Sequence, residues 1–198
     1  MLYVSHRESQ TRVLGPGLRY ALWLQGCKKR CPGCVFPEGQ PLDKNGEYMP
    51  VETVLQDIIA TPNLRGVTVS GGEPFLQASP LLKLILGIRE KTSLDIMVYT
   101  GYCIEELQFF GEDAMSILQN IDLLIDGEYI ESQNNNTAYR GSDNQRIIAL
   151  TPKYRPFIEM MTNHKNRSIE FVSHSSGSLF MIGIPERNFR ERFMNSVD

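Results

Sequence analysis

Short apolar segments alternate with amphipathic helical segments along this chain, and this alternation restricts its fold more than any other feature. Each strand-plus-helix unit takes roughly 25–30 residues, the length of a βαβ unit. Such units build a parallel sheet, because right-handed crossovers return the chain to the same edge. The sequence therefore predicts an α/β fold with strands at residues 20–24, 66–70, 94–99 and 122–125.

Helices are predicted between these strands from apolar residues three and four positions apart. One begins at Val51, a second lies around residues 81–88, and a third covers residues 104–121 with a break near Gly111. Ligand sites in parallel sheets lie at the carboxyl ends of the strands. The loops that follow the strands should therefore converge, and these are residues 26–37, 71–74, 100–103 and 126–129.

The last quarter of the chain has a different pattern. Apolar runs at residues 169–172 and 179–184 predict a β-hairpin that turns across Ser175-Ser176-Gly177. We assign residues 1–150 to a core and residues 151–198 to a C-terminal extension that packs on the same domain.

The charge balance argues against two classes of partner. Lys and Arg number 20 and Asp and Glu 23 in the 198 residues, so the formal net charge is −3. Neither nucleic acid nor an anionic membrane is expected as a partner, since both need a basic surface. The N-terminus has no apolar signal segment, and no apolar run approaches the ~20 residues of a membrane span. We expect a cytoplasmic protein.

Three of the four cysteines lie close together, at Cys27, Cys31 and Cys34. In an intracellular chain, clustered cysteines more often bind metal than form disulfides. The Cys-x3-Cys-x2-Cys spacing lets one loop give three thiolates to a 4Fe–4S cluster, which leaves the fourth iron open to another ligand. The basic residues at 28–30 would favour thiolates and offset the negative charge of the cluster.

Structural zinc is the alternative, with the three cysteines and one of His6, His164 or His174 as ligands. Zinc ligands usually come as two separated pairs, and no second pair is present. The spacing therefore favours the open cluster. Cys103 lies far along the chain and is interpreted as a small buried hydrophobe.

Several further segments match a known family in the correct order along the chain. They are Gly15-Pro16-Gly17-Leu18-Arg19, Trp23-Leu24-Gln25-Gly26-Cys27, Cys31-Pro32-Gly33-Cys34, Ser70-Gly71-Gly72-Glu73-Pro74, Tyr99-Thr100-Gly101-Tyr102, Asp126-Gly127 and Arg140-Gly141-Ser142-x-Asn144-Gln145. Together they resemble the radical S-adenosylmethionine (SAM) superfamily, and within it the glycyl-radical-enzyme activases. The last two segments most resemble the activating proteins of anaerobic (class III) ribonucleotide reductase.

The resemblance implies a partial (β/α)6-type radical SAM barrel, here with the C-terminal β-hairpin extension. It implies two cofactors, a 4Fe–4S cluster on Cys27, Cys31 and Cys34, and SAM. It also implies a flavodoxin or ferredoxin-type electron donor and a glycyl radical enzyme as partner. An alternative enzymatic function is direct action on a peptide or small metabolite. The non-enzymatic alternative is a zinc-stabilised binding module.

The resemblance also implies roles for individual residues. The SAM methionyl amino group would meet Gly71, Gly72 and Glu73, next to Pro74, because glycines admit backbone carbonyls and a carboxylate pairs with an ammonium. Thr100 and Tyr102 would border the ribose or adenine, and Asp126 would face the pocket. The SAM carboxylate or the incoming glycine loop would be held by Arg140, Ser142, Asn144 and Gln145. The chain departs from the family in carrying Val35-Phe36 after the third cysteine.

Overall fold

The computed structural model describes residues 1–165, 167–173 and 179–197. The strands are β1 (Leu2–Thr11), β2 (Arg19–Leu24), β3 (Glu47–Met49), β4 (Gly66–Gly71), β5 (Asp95–Tyr99), β6 (Leu123–Asp126), β7 (Arg146–Ala149), β8 (Ile169–Ser173) and β9 (Leu179–Gly183). The α-helices are α1 (Val51–Ala60), α2 (Ala78–Lys91), α3 (Ile104–Leu107), α4 (Glu112–Asn120), α5 (Ile158–Asn163) and α6 (Phe189–Val197).

Seven strands form one mixed sheet in the order β3-β1-β2-β4-β5-β6-β7. The four central strands β2, β4, β5 and β6 run parallel, which confirms the predicted α/β class. At the two sides, β1 and β7 run antiparallel to their inner neighbours, and β3 is antiparallel to β1. The carboxyl ends of the four parallel strands therefore share one edge of the sheet.

The predicted strands lie within two residues of the observed ones, and the predicted third helix does break at Gly111, between α3 and α4. The long strand β1 was not predicted. Its register shifts between Val4 and His6 and again between Glu8 and Thr11, so the alternation of inward and outward residues is interrupted. The hairpin is confirmed by antiparallel β8 and β9. Its proposed turn, Ser175-Ser176-Gly177, lies outside the described residues.

Side chains of one strand enter the core on both faces of the sheet. Ile96 and Val98 of β5 pack against α1, α2 and α4, whereas Met97 between them faces the opposite side. There Met97 meets Tyr154 and Met161, which belong to the C-terminal extension. The extension therefore covers a face of the sheet that would otherwise expose apolar side chains.

A buried ion pair joins the sheet at the end opposite the cysteine loop. Arg19 begins β2 and donates to Asp95 Oδ1 at 2.6 Å, while Tyr154 Oη donates to Asp95 Oδ2 at 2.6 Å. Burial opposes ionisation of Asp95, but the charge of Arg19 and these hydrogen bonds hold the pKa of its carboxyl below the ordinary value. The pair fixes the amino ends of β2 and β5 relative to each other. Across the described ranges, no helix has the length and apolar character needed to cross a bilayer.

Candidate active site

The loops that follow all four parallel strands line one cavity. Residues from the cysteine loop, the Gly-Gly-Glu segment, Thr100-Gly101 and Gly127 line it together. The predicted convergence at the carboxyl edge of the sheet is thus observed. Two further segments complete the wall, and they contribute Gly141, Gln145, Gly183 and Ile184.

The cysteine loop leaves β2 and is closed by its own backbone. Gly26 N donates to Gly39 O at 2.8 Å, and Cys27 N donates to Gln40 O at 3.0 Å. Cys27 is buried, whereas Cys31 and Cys34 are half-buried. All three thiols are unpaired and line the same cavity. Their arrangement is a tripod of sulfur donors around one space.

The spacing of the sulfurs bears on the choice between zinc and a cluster. A tetrahedral zinc ion with Zn–S bonds of 2.3 Å needs sulfurs about 3.8 Å apart. Among the described residues, the one group of three potential ligand atoms that lie within 4.8 Å of one another is Cys103, Glu105 and Asp126. The sulfurs of Cys27, Cys31 and Cys34 do not form such a compact group. This spacing favours a larger group such as a 4Fe–4S cluster over a single zinc ion.

Burial favours the protonated form of two of the thiols in the absence of metal. Burial raises the pKa of Cys27, and it raises the pKa of Cys31 to about 11 although a backbone hydrogen bond at Tyr129 acts against it. Metal binding must then displace the protons. Of the nearby basic residues, Lys29 lines the cavity and lies 4.2 Å above the Tyr102 ring.

The two glycines of the Gly-Gly-Glu segment are needed for contact with the cysteine loop. Gly72 N donates to Leu24 O at 2.7 Å, and a Cβ atom on Gly72 would lie 2.2 Å from Gly26 O. Gly71 has φ +116°, and a Cβ there would lie 2.3 Å from the Leu24 backbone. The two backbones can lie this close only because neither residue has a side chain.

Glu73 connects two of the converging loops. Its side chain is 1% exposed, and it accepts hydrogen bonds from Phe75 N at 3.0 Å, Thr100 Oγ1 at 2.9 Å and Gly101 N at 2.8 Å. Burial raises the pKa of Glu73 to about 7, although these donors act against the rise. Pro74 is buried behind it, at the start of a short 3-10 helix.

Thr100 and Tyr102 follow β5 but differ in position. Thr100 lines the cavity, and its hydroxyl also accepts from Tyr102 N at 3.1 Å. The Tyr102 ring packs edge-on against Phe110 and under Lys29, outside the cavity lining. Of the two, Thr100 is therefore the one that lines the cavity.

Asp126 is completely buried, and its carboxylate is directed away from the cavity. It accepts from Ile104 N at 2.8 Å and from Arg146 Nε at 2.9 Å, and Arg146 also pairs with the exposed Glu105. Cys103 lies beside this network and is half-buried, so the interpretation of it as a buried hydrophobe was wrong. The carboxylate thus joins β6 to β7 and α3, and its neighbour Gly127 lines the cavity instead.

The polar residues at 140–145 are mostly bonded to their own loop and to the segment after β6. Gln145 Nε2 donates to Gly127 O at 2.8 Å, while its Oε1 accepts from Gly141 N at 2.7 Å. Arg140 donates to two carbonyls of its own loop. Ser142 Oγ accepts from Ile130 N, and Asn144 Nδ2 donates to Glu128 O at 2.7 Å. Of this predicted set, Gln145 lines the cavity.

Tyr129 lines the cavity and belongs to the predicted converging loop at residues 126–129. Some other residues that line the cavity were not predicted. Leu14, Gly183 and Ile184 come from distant parts of the chain, and no local pattern marks them. Trp23 and Phe36 give the cavity an apolar side, where both contact Phe180 of β9.

Four parallel strands with three convergent, unpaired cysteines at their carboxyl edge are typical of the site of an iron–sulfur enzyme. Residues 13–148 match the family model described as a 4Fe-4S single cluster domain. The chain belongs to the glycyl-radical activases of the radical SAM family, which are enzymes that carry a 4Fe–4S cluster.

Three relatives illustrate the similarity. The chain is 34% identical over 149 residues to the anaerobic ribonucleoside-triphosphate reductase-activating protein of Escherichia coli (strain K12), covering 70% of this chain and 92% of the relative. The protein of that name from Enterobacteria phage T4 is 29% identical over 144 residues, or 70% and 88% of the two chains. The pyruvate formate-lyase-activating enzyme of Staphylococcus aureus (strain USA300) is 31% identical over 152 residues, 74% of this chain and 56% of that one.

Proposed function

We propose that this protein binds SAM and installs a glycyl radical on an anaerobic ribonucleoside-triphosphate reductase. The observation that carries the proposal is the tripod of Cys27, Cys31 and Cys34, which offers three sulfurs to a four-iron cluster. The reductase is proposed as the partner because the relatives that the chain matches over most of their length act, by name, on that enzyme.

The bound cofactors supply a one-electron cleavage. Cys27, Cys31 and Cys34 would hold the cluster, and with SAM bound it would accept one electron from a flavodoxin or ferredoxin-type donor. The reaction would yield methionine and 5′-deoxyadenosine, and the hydrogen atom that 5′-deoxyadenosine gains would come from a glycine Cα, which would leave a glycyl radical on the partner.

In this proposal, the residues of the chain bind SAM and orient it. Glu73 would pair with the methionyl amino group, and the backbones of Gly71 and Gly72 lie where their carbonyls could accept from it. Thr100, fixed by its bond to Glu73, would border the ribose, with Tyr102 beyond it. The apolar surface of Trp23 and Phe36 would exclude water from the radical.

The remaining predicted residues would act through the shape of the cavity. Asp126 would fix the end of β6 through its bonds to Arg146 and Ile104. The loop residues Arg140, Ser142, Asn144 and Gln145 would hold the wall that faces the cysteines. We further propose that the mixed sheet is the partial (β/α)6-type barrel of this family, and that the protein acts in the cytoplasm with its partner.

The test is anaerobic reconstitution followed by two readouts. With SAM and dithionite, 5′-deoxyadenosine is measured by mass spectrometry; with the reductase of the same organism added, the glycyl radical is measured by electron paramagnetic resonance. We expect both signals, and about four irons and four sulfides per chain. The Cys31→Ala variant should lose both, whereas Cys103→Ser should keep both because Cys103 lies outside the cysteine loop.

The outcomes distinguish the hypotheses. If 5′-deoxyadenosine forms but no glycyl radical appears on the reductase, the protein acts on another peptide or on a small metabolite. If zinc is bound and iron is absent, the cluster assignment is wrong.

A further inference from the structure

The segment that runs from β9 into α6 lies beyond the family match and yet reaches the active site. The match ends at residue 148, but Gly183 and Ile184 line the cavity with the cysteines. Phe180 of the same segment stacks on His6, with 3.6 Å between ring centroids, and contacts Trp23 and Phe36 edge-on. The extension is thus packed directly on the site.

A groove with a volume of about 360 Å³ continues from the cavity along this segment. One wall is the cysteine loop at Gly33, Cys34 and Val35, and the base contains Tyr129 and Glu131. The other wall is the C-terminal segment, which contributes Met181, Pro185, Glu186, Arg187, Asn188 and Phe189. Cys34, Val35 and Tyr129 line both spaces, so an occupant of the groove can extend into the cavity.

Arg167 holds the C-terminal wall in place. Its guanidinium donates to Thr137 O at 2.8 Å, to Asn134 Oδ1 at 2.6 Å and to Pro185 O at 3.0 Å. Arg167 Nη2 donates to Arg140 O at 2.6 Å and to Gly141 O at 3.1 Å. All five N–H groups of the side chain are therefore used. One residue of the extension joins the wall at Pro185 to the 140–145 loop beside the cavity.

The composition of the groove suits an extended peptide. Val35, Met181 and Phe189 offer apolar contacts. Tyr129 Oη accepts from Asn134 Nδ2 at 3.2 Å, so its own O–H can still donate to a main-chain carbonyl. Apolar surface with a few polar groups is the usual lining of peptide grooves. A glycine Cα belongs to a main chain, so any glycine that enters the cavity must bring its flanking residues along an open path.

We propose that residues 179–189 form a partner-specificity element, which closes one side of the groove that receives the glycine-bearing segment of the reductase and which Arg167 positions. This inference rests on the proposed function. It assigns recognition of the partner to a part of the chain beyond the family match, while the matched part carries the radical chemistry.

The first experiment narrows the groove in the reconstituted holoenzyme. Glu186 is exposed and lines the groove, so Glu186→Trp adds bulk there without disturbing the core. We expect the KM for the reductase in glycyl radical formation to rise at least fivefold while kcat changes less than twofold. Glu90→Trp, at an exposed position of α2, is the control for bulk alone.

The second experiment locates the occupant. A photoreactive p-benzoylphenylalanine at Arg187, on the groove wall, should cross-link to the reductase peptide that contains the radical glycine. The same amino acid at the exposed Leu86 of α2 should not. Cross-linked peptides are identified by mass spectrometry.

Support requires both results. An unchanged KM in Glu186→Trp, or cross-links from position 187 to another region of the reductase, would overturn the assignment of the segment. If the wild-type protein forms no glycyl radical on the reductase, the proposed function fails, and the inference fails with it. That failure is recognised separately, because it is seen before any variant is compared.

Discussion

Thr100 Oγ1 donates a 2.9 Å hydrogen bond to Glu73 Oε1, and this contact joins the loop after β4 to the loop after β5. Both side chains are buried at the edge of the cavity. The carboxyl group is thus fixed in position before any ligand arrives. Fixing a polar group in advance reduces the free-energy cost of ordering it on binding.

The Glu73 carboxyl should make the stability of the cluster-free protein depend on pH. Its pKa is about 7 in the folded protein against an ordinary 4.5, so between these values the folded state holds a proton that the unfolded state has released. The free energy of unfolding should therefore fall as the pH rises from 4.5 to above 7, by roughly 3 kcal/mol in total. Urea unfolding of wild type and Glu73→Gln across this range measures the difference, which should vanish in a chain where residue 73 cannot titrate.

Gly72→Ala should disrupt the site through backbone contact. The added Cβ would meet Gly26 O at 2.2 Å and Gly39 O at 2.6 Å, so the cysteine loop must move. We expect the variant to retain fewer than half of the irons after reconstitution. The measurement is iron and sulfide content, with circular dichroism to check the fold. Gly111→Ala is the matched control: it has the strain of a positive φ but no atom within 4 Å, and it should bind a full cluster.

Asp126→Asn should lower the stability of the protein. The buried carboxylate accepts from Arg146 and Ile104, and a neutral amide cannot replace both bonds. The loss should be about 2 kcal/mol in the free energy of unfolding, because hydrogen bonds to charged groups contribute about this much and Arg146 itself is partly exposed. Glu105→Gln changes the exposed partner of the same arginine and should have little effect. Equal losses in the two variants would contradict the structural role of Asp126.

Tyr154→Phe should show that the extension supports the core. The change removes the 2.6 Å hydrogen bond from Tyr154 to the buried carboxylate of Asp95 and leaves the packing of the ring. Hydrogen bonds to charged groups contribute about 2 kcal/mol, and denaturant unfolding can measure a loss of this size.

Removing the chain after residue 150 should prevent folding, because the deletion also removes Met161 from the core. A folded truncation would show that the extension is dispensable for stability.

Local patterns in the sequence were enough to predict the class of fold and the chemistry of the site. Short apolar runs predict the parallel strands. The cysteine motif of Cys27, Cys31 and Cys34 can be recognised because all three residues belong to one loop. The same information could not orient Asp126. It follows a strand as predicted, yet its carboxylate meets Arg146, a pairing across 20 positions that depends on how β7 returns beside β6.

The sequence by itself therefore determined the grouping of three cysteines in one loop, the positions of the four parallel strands and the edge at which their loops meet, because these depend on residues that are near in the chain. Only the tertiary structure decided that Gly72 lies against Gly26, that Glu73 is buried beneath Thr100, and that Arg167 brings Pro185 to the rim of the site. These contacts join residues that are between 18 and 46 positions apart. These contacts depend on how the whole chain packs, so no local pattern in the sequence predicts them.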